Sequence, residues 1–271
     1  MAIKSKLFSI EKPIIGMVHL PPLPGAPAYS GQPLSSIIKF ALSEAKALED
    51  GGIDAILVEN FNDYPYLVNN VSKSTIIAMA AVLYEIKESV NVPIGVNVLF
   101  NDAEAEIYLA SCLDLDFIRV EGFVDLLISD MGPIMPSAPV LLRLKHILKA
   151  EKVAILADVQ GKYTSVLPPK SIEESARDAL ERGGADAVIV TGARTGEAVP
   201  KGLVQTVKSR VPEARIFLGS GVTPENIVEV FEICDGAIVG SYFKKDGNVK
   251  NPVDAVRVRK LMEVVHKMRD K

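Results

Sequence analysis

A chain of 271 residues, 48% hydrophobic and 24% charged, can build a full core and lies close to the roughly 250 residues of one α/β barrel. Its formal net charge of −4 provides no global basic field, which argues against nucleic acid or an anionic membrane as a partner and requires any anion to be held by a local site. The two cysteines, Cys112 and Cys234, are too few and too scattered for a disulfide framework or a metal cluster, and both read as small buried hydrophobes in a reducing compartment.

The N-terminus from Met1 to Phe8 is interrupted by charges and lacks a signal-peptide core, and no apolar run approaches the roughly 18 residues of a membrane helix. The expectation is a cytoplasmic protein with residues 1–271 in one domain. A recurring phrase then organises the chain: a helix-like segment ending in glycine, an Asp, and a short apolar run. It occurs as Gly51-Gly52-Ile53-Asp54 before Ala55–Val58, and as Gly183-Gly184-Ala185-Asp186 before Ala187–Val190. Shortened copies stand at Asp116 and Asp235. Glycine past a helix end supplies the left-handed turn, and a continuous apolar run suits a parallel strand buried on both faces.

Eight strands follow from this pattern, at 14–19, 54–59, 93–99, 116–121, 153–158, 186–191, 215–219 and 236–240, with helical sequence between them. Helix starts are marked by a capping box at Ser171 and Glu174, a weaker one at Asn101 and Glu104, and proline behind a capping residue at Thr223-Pro224 and Asn251-Pro252. Eight β-then-α units predict an α/β fold of the (β/α)8 TIM-barrel class. An open doubly wound sheet is the rival, but no G-x-G-x-x-G turn follows the first strand.

Catalytic groups of such barrels come from the C-terminal strand ends. Those positions hold His19, Glu59, Asn60, Asn97, Arg119, Glu121, Asp158 and Thr191. Arg119 and Glu121 share a strand face, either as a structural ion pair or as an anion-holding Arg beside an acid or base. Asp158 ends an apolar strand and is the candidate base, with Glu121 or Glu59 as partner acid and His19 as an orienting or proton-transfer group. Asn60, Asn97, Arg119, Lys162 and Thr191 are candidate substrate contacts. Zinc ligand spacing is missing, so no metal or other cofactor is assigned. Mg²⁺ on Glu59, Glu121 or Asp158 stays open with nothing to favour it. No lysine ends the sixth strand, which disfavours Schiff-base chemistry; Lys162 pairs with an anionic substrate or is a loop charge.

Two glycine turns close the last two strands: Gly219-Ser220-Gly221-Val222-Thr223 and Gly240-Ser241-Tyr242. Turns on neighbouring parallel strands can point bare backbone N–H groups at an anion, which makes Gly219, Ser220, Gly221, Gly240 and Ser241 a candidate phosphate cradle. The loop from Pro21 to Pro33 and the loop from 122 to 137 are long, and they suit either substrate-covering lids or homo-oligomer contacts.

The motifs Gly16-Met17-Val18-His19-Leu20-Pro21-Pro22-Leu23-Pro24-Gly25 and Gly219-Ser220-Gly221-Val222-Thr223-Pro224-Glu225-Asn226 resemble the BtpA family. So do Asp54–Asn60, Asp158 with Lys162, Thr191-Gly192 with Thr195-Gly196, and Asp235–Gly240. The resemblance implies a ribulose-phosphate-binding type of barrel and carries over no catalytic residue. Gly161 and Tyr163 around Lys162, and Tyr242-Phe243, depart from the family's pattern. The resulting expectation is an enzyme acting on a small phosphorylated metabolite, as an isomerase or carbon–carbon lyase. The alternative is a non-catalytic assembly or regulatory factor, as the family's name for a photosystem I biogenesis protein suggests.

Overall fold

The computed structural model describes residues 5–270; the reading of residues 1–4 as part of a leaderless N-terminus lies outside them. Numbered along the chain, the strands are β1 (Ile14–His19), β2 (Ala55–Glu59), β3 (Ile94–Asn97), β4 (Phe117–Val120), β5 (Leu127–Ser129), β6 (Gly132–Ile134), β7 (Ala154–Asp158), β8 (Ser165–Val166), β9 (Ala187–Val190), β10 (Ile216–Leu218) and β11 (Gly236–Val239). Eight of them close into a parallel barrel in the order β1-β2-β3-β4-β7-β9-β10-β11, with β11 returning to β1. The helices are α1 (Leu34–Asp50), α2 (Lys73–Ser89), α3 (Ala103–Cys112), α4 (Ala138–Ile147), α5 (Ile172–Arg177, continued by a π-turn), α6 (Lys201–Arg210), α7 (Ile227–Ile233) and α8 (Ala255–Arg269). This is the (β/α)8 barrel that the eightfold pattern predicted. No helix is long and apolar enough to cross a membrane among the described residues.

Each apolar run resolves into two interleaved sets, because successive side chains of a strand point to opposite faces. Ile14, Val18, Ile56, Val58, Ile118, Ile155 and Val188 pack outward against the helices. Ile15, Met17, Leu57, Phe117, Leu156, Ile189, Phe217 and Ile238 fill the barrel with Leu7. Phe117 and Phe217 fit inside because Gly95 and Gly236 stand beside them; a Cβ on either glycine would lie 2.2 Å and 2.5 Å from the ring.

The recurring Asp also has a structural reason. Asp54, Asp116, Asp186 and Asp235 each accept a backbone N–H at the start of the preceding barrel strand, from Ile14, Ile94, Ile155 and Ile216, at 2.8–3.0 Å. A side-chain acceptor thereby satisfies one backbone donor at the N-terminal end of each of these strands. The second glycine of each pair, Gly52 and Gly184, takes φ of +84° and +69°, as a helix-ending turn requires.

Four local expectations are corrected. β3 stops at Asn97 rather than 99, because the N–H groups of Val98 and Leu99 turn to the side chains of Glu106 and Asn60. α3 is capped by Asp102, whose carboxylate accepts from Ala105, not by Asn101. Thr223-Pro224 and Asn251-Pro252 form turns, and helices begin only at Ile227 and Ala255; the Asn226 side chain takes up the Thr223 N–H first. Cys112 is exposed at the end of α3, whereas Cys234 is buried as expected. Ser171 and Glu174 do form the capping box.

Candidate active site at the barrel mouth

His19 on β1 pairs in register with Glu59 on β2, and Glu59 with Asn97 on β3, so period-two alternation carries all three to the C-terminal rim. The same parity brings Arg119, Glu121 and Asp158 there from β4 and β7. A cavity of about 340 Å³ opens at this rim. Of the residues expected from sequence, its wall contains His19, Glu59, Arg119, Glu121, Asp158, Lys162, Gly219, Ser220, Gly221, Gly240 and Ser241.

Arg119 is the electrostatic centre. Its Nε and Nη2 donate to the two carboxylate oxygens of Asp158 at 2.8 and 3.3 Å, and Nη1 to Glu59 at 3.5 Å. Burial disfavours the charged guanidinium, but the carboxylates of Asp158, Glu59 and Glu121 outweigh it and raise its pKa further. Asp158, the base expected from sequence, therefore has both oxygens committed. Glu121 differs: it is buried, and neither of its oxygens has a hydrogen-bond partner. Burial pushes its carboxyl up to about 8, against the pull of Arg119 and with the repulsion of Asp158 and Glu59. Burial thus favours the protonated form of Glu121. Glu59 is also raised by burial, opposed by Arg119 and Lys162.

His19 stacks on Phe61 with ring centroids 4.3 Å apart, and its Nε2 lies 3.9 Å from Glu59. Burial, with Lys244, Arg119 and Lys162 nearby, holds its pKa well below the usual value, so it is a neutral imidazole. Lys162 is no loose charge. The loop after β7 turns it inward, and Nζ donates to the Gly219 carbonyl at 3.1 Å. Burial and the Arg119 charge bring its pKa down to about 8, against the carboxylates around it. Schiff-base chemistry was disfavoured for want of a lysine ending the sixth strand; an inward-turned lysine with a lowered pKa comes instead from the loop after β7.

Asn60, Asn97 and Thr191 do not reach this cavity. Asn60 braces the loop after β3 through Leu99 and Asp63. Asn97 donates to Glu106 and to the Arg119 carbonyl. Thr191 packs beneath Gly219, where a Cβ would meet its Cγ2 at 2.5 Å. Of the carboxylates considered for Mg²⁺, Glu59 and Asp158 already share Arg119. Among the described residues no three acidic, His or Cys side chains converge as a ligand set.

The two glycine turns line the same cavity. Gly221 has φ +74°, and a Cβ there would meet Ala198 Cα at 2.4 Å. Gly219 N–H is spent on Val190, and the Ser220 hydroxyl ties Gly192 to Glu197. The N–H groups of Gly221 and Val222 have no acceptor among the described residues. A Cβ on Gly240 would approach His19 Cε1 to 3.1 Å, so this glycine makes room for the imidazole.

Sequence reasoning missed Phe61, Tyr66, Phe100 and Arg257 in the cavity wall. Arg257 comes from the first turn of α8 and lies over the Tyr242 ring at 4.5 Å. It also missed Glu106, a fully buried acid on α3 whose pKa burial raises well above normal, with Glu121 adding to the effect. An acid on the apolar face of α3 was the one available signal. The Pro-rich loop does not line this cavity. Leu23 and Pro24 bind Asp63 and Thr75, and Gly25 to Pro27 line a smaller cavity beside Asn60 and Tyr66. The loop 122–137 is a β5–β6 hairpin joined by β8, packed through Leu127 and Ile134 behind Leu99 and Phe100.

Comparison with solved structures places this geometry among known barrels. A native KDPGal structure superposes with a TM-score of 0.58 at 16% identity, covering 100% of both chains. Phosphoribosyl anthranilate isomerase from Thermus thermophilus gives 0.57 at 15% identity, over 95% of this chain and 100% of the other. At these identities the likeness concerns the fold alone. Sequence relatives are nearer. An uncharacterised protein of Pyrococcus horikoshii is 40% identical over 96% of this chain and 98% of its own. The photosystem I biogenesis protein BtpA of Synechocystis is 35% identical over 95% and 89%. The BtpA family profile matches residues 10–267, from before β1 to the last turns of α8, and with relatives matched across the same barrel the chain belongs to the BtpA family.

Proposed function

We propose that the protein is an enzyme that moves a proton beside a carbonyl, or cleaves a carbon–carbon bond, in a small phosphorylated metabolite. The observation that carries this reading is the lining of one cavity. The glycine turns, with the unpaired N–H groups of Gly221 and Val222, and Arg257 share it with Glu121, Lys162 and the Arg119–Asp158–Glu59 cluster. The first set suits a phosphate, and the second suits acid–base work on the atoms beyond it. Glu121 replaces Asp158 as the proton-carrying group, because a carboxyl near 8 can both give and take a proton at neutral pH. Asp158 keeps Arg119 in place. Solved barrels of similar fold include enzymes named for phosphorylated compounds, such as thiamine phosphate pyrophosphorylase from Pyrococcus furiosus, with a TM-score of 0.55 at 16% identity over 94% of this chain and 96% of the other. That agreement supports the reading at the level of fold only.

The test is a thermal-shift screen of inorganic phosphate and phosphorylated aldoses, ketoses and keto acids, followed by assay of the stabilising compounds. A ligand at 100 times its Kd should add about 2.7 kcal/mol of stability. Glu121→Gln should keep binding and lose roughly 10² to 10⁴ in turnover. Phosphorylated compounds that stabilise no more than their dephosphorylated counterparts would overturn the phosphate assignment. Binding without turnover of any bound compound would favour the second reading, an assembly role, for which the Synechocystis relative's name is the support.

A further inference from the structure

Two lysines, the buried Lys244 and the half-buried Lys162, are placed differently. Lys244 is fully buried and paired with Glu44 of α1, whose other oxygen accepts the Val253 N–H. Its role in anchoring the segment after β11 is complete. Lys162 has a neutral carbonyl as its only hydrogen-bond acceptor among the described residues. The loop that carries it is shaped to send it inward. Val159 N–H still bonds to β9, Gln160 and Tyr163 take positive φ of 54° and 58°, and Thr164 closes the turn onto the Gly161 carbonyl. An amine set between an Arg-neutralised carboxylate pair and a glycine turn is held by the fold without being ion-paired.

We propose that the Lys162 amine attacks the carbonyl carbon of a phosphorylated aldehyde or ketone and forms an iminium with it. This rests on the phosphate-site reading above and names the substrate class for it. The steps balance within the cavity. The nitrogen lone pair forms the C–N bond while the carbonyl π electrons move to oxygen, which takes the Glu121 proton. Glu121 then removes one proton from the nitrogen and returns it to the hydroxyl. The C–O bond breaks, water leaves, and the nitrogen lone pair forms C=N. The sum is amine, carbonyl and carboxylic acid giving iminium, water and carboxylate. Glu121 is thereby left ionised beside the iminium, able to take a proton from the adjacent carbon with the electrons flowing into C=N. The same electron sink serves isomerisation and carbon–carbon cleavage. The carboxylates of Asp158 and Glu59 favour the positive iminium. The pKa of Lys162 near 8 supports the amine's availability.

The test uses pyridoxal 5′-phosphate, which carries an aldehyde and a phosphate, with borohydride reduction and peptide mapping on the full chain. Lys162 should be reduced onto the probe roughly ten times faster than surface lysines, because its amine is free at lower pH. Labelling should rise with a midpoint near pH 8, as burial and the Arg119 charge bring the Lys162 pKa down to about 8. Inorganic phosphate should protect it, and pyridoxal without phosphate should react more slowly. Lys162→Arg should abolish that label, with an unchanged urea unfolding curve showing that the fold is intact. Labelling of Lys162 no faster than surface lysines, in protein that inorganic phosphate does stabilise, overturns the nucleophile. Fast labelling of Lys162 by pyridoxal as much as by its phosphate, without protection, upholds the nucleophile and removes the phosphate site instead.

Discussion

Glu121 and Arg119 show how one buried cluster sets opposite fates for its charges. Glu121 has a folded pKa near 8, above its ordinary 4.5, so folding takes up a proton between those values. Its stabilising contribution is complete below about pH 4.5 and is lost as pH rises towards 8. Glu121→Gln, fixed in the neutral form, should flatten the fall in urea midpoint between about pH 5 and about pH 8, leaving the part due to Glu106 and Glu59. An unaltered slope would mean that Glu121 is ionised throughout. Arg119→Met should cost about 3–5 kcal/mol, since Asp158 and Glu59 would be left buried without their countercharge. Adding Asp158→Asn to that variant should recover part of the loss. A single variant within about 1 kcal/mol of the parent would show that water already reaches the pair.

At the scale of elements, the barrel has a structural end and a chemical end. Asp54, Asp116, Asp186 and Asp235 sit where strands begin and fasten each to its predecessor. Asp186→Ala removes the acceptor of the Ile155 N–H and should cost about 1.5–3 kcal/mol by urea denaturation. Stabilisation by phosphate should be unchanged in that variant, because the change lies at the far end of the barrel. Loss of phosphate binding at full stability would reverse the assignment of the two ends. Glu44→Gln, which strands the Lys244 charge between α1 and the segment after β11, should cost about 3–5 kcal/mol and lower phosphate affinity as the Gly240 turn loosens. Unchanged affinity would separate that anchor from the site.

For the molecule as a whole, the strands were legible in the sequence because a strand buried on both faces must be apolar along its length, and glycine-Asp punctuation marked where some of them begin. The polar residues ending those runs were legible for the same reason: His19, Glu59, Arg119, Glu121 and Asp158 interrupt sequence that is otherwise hydrophobic. Their partners were not. Whether a carboxylate is paired, as in Asp158, or left alone, as in Glu121, depends on which strands become neighbours and how far each side chain reaches. Asn60 and Asn97 looked like substrate contacts by position, yet their amides serve backbone groups of Leu99 and Arg119 brought close only by closure of the barrel. Lys162 read as a contact for an anionic substrate or a loop charge, and nothing local says that two positive-φ residues will turn it toward Gly219. Periodicity and composition determined the eight-stranded barrel and its polar rim, since these follow from burial along each segment. The protonation of Glu121, the availability of the Lys162 amine and the joining of both to a glycine-lined wall were decided by tertiary structure, because desolvation and charge proximity are properties of the space between segments.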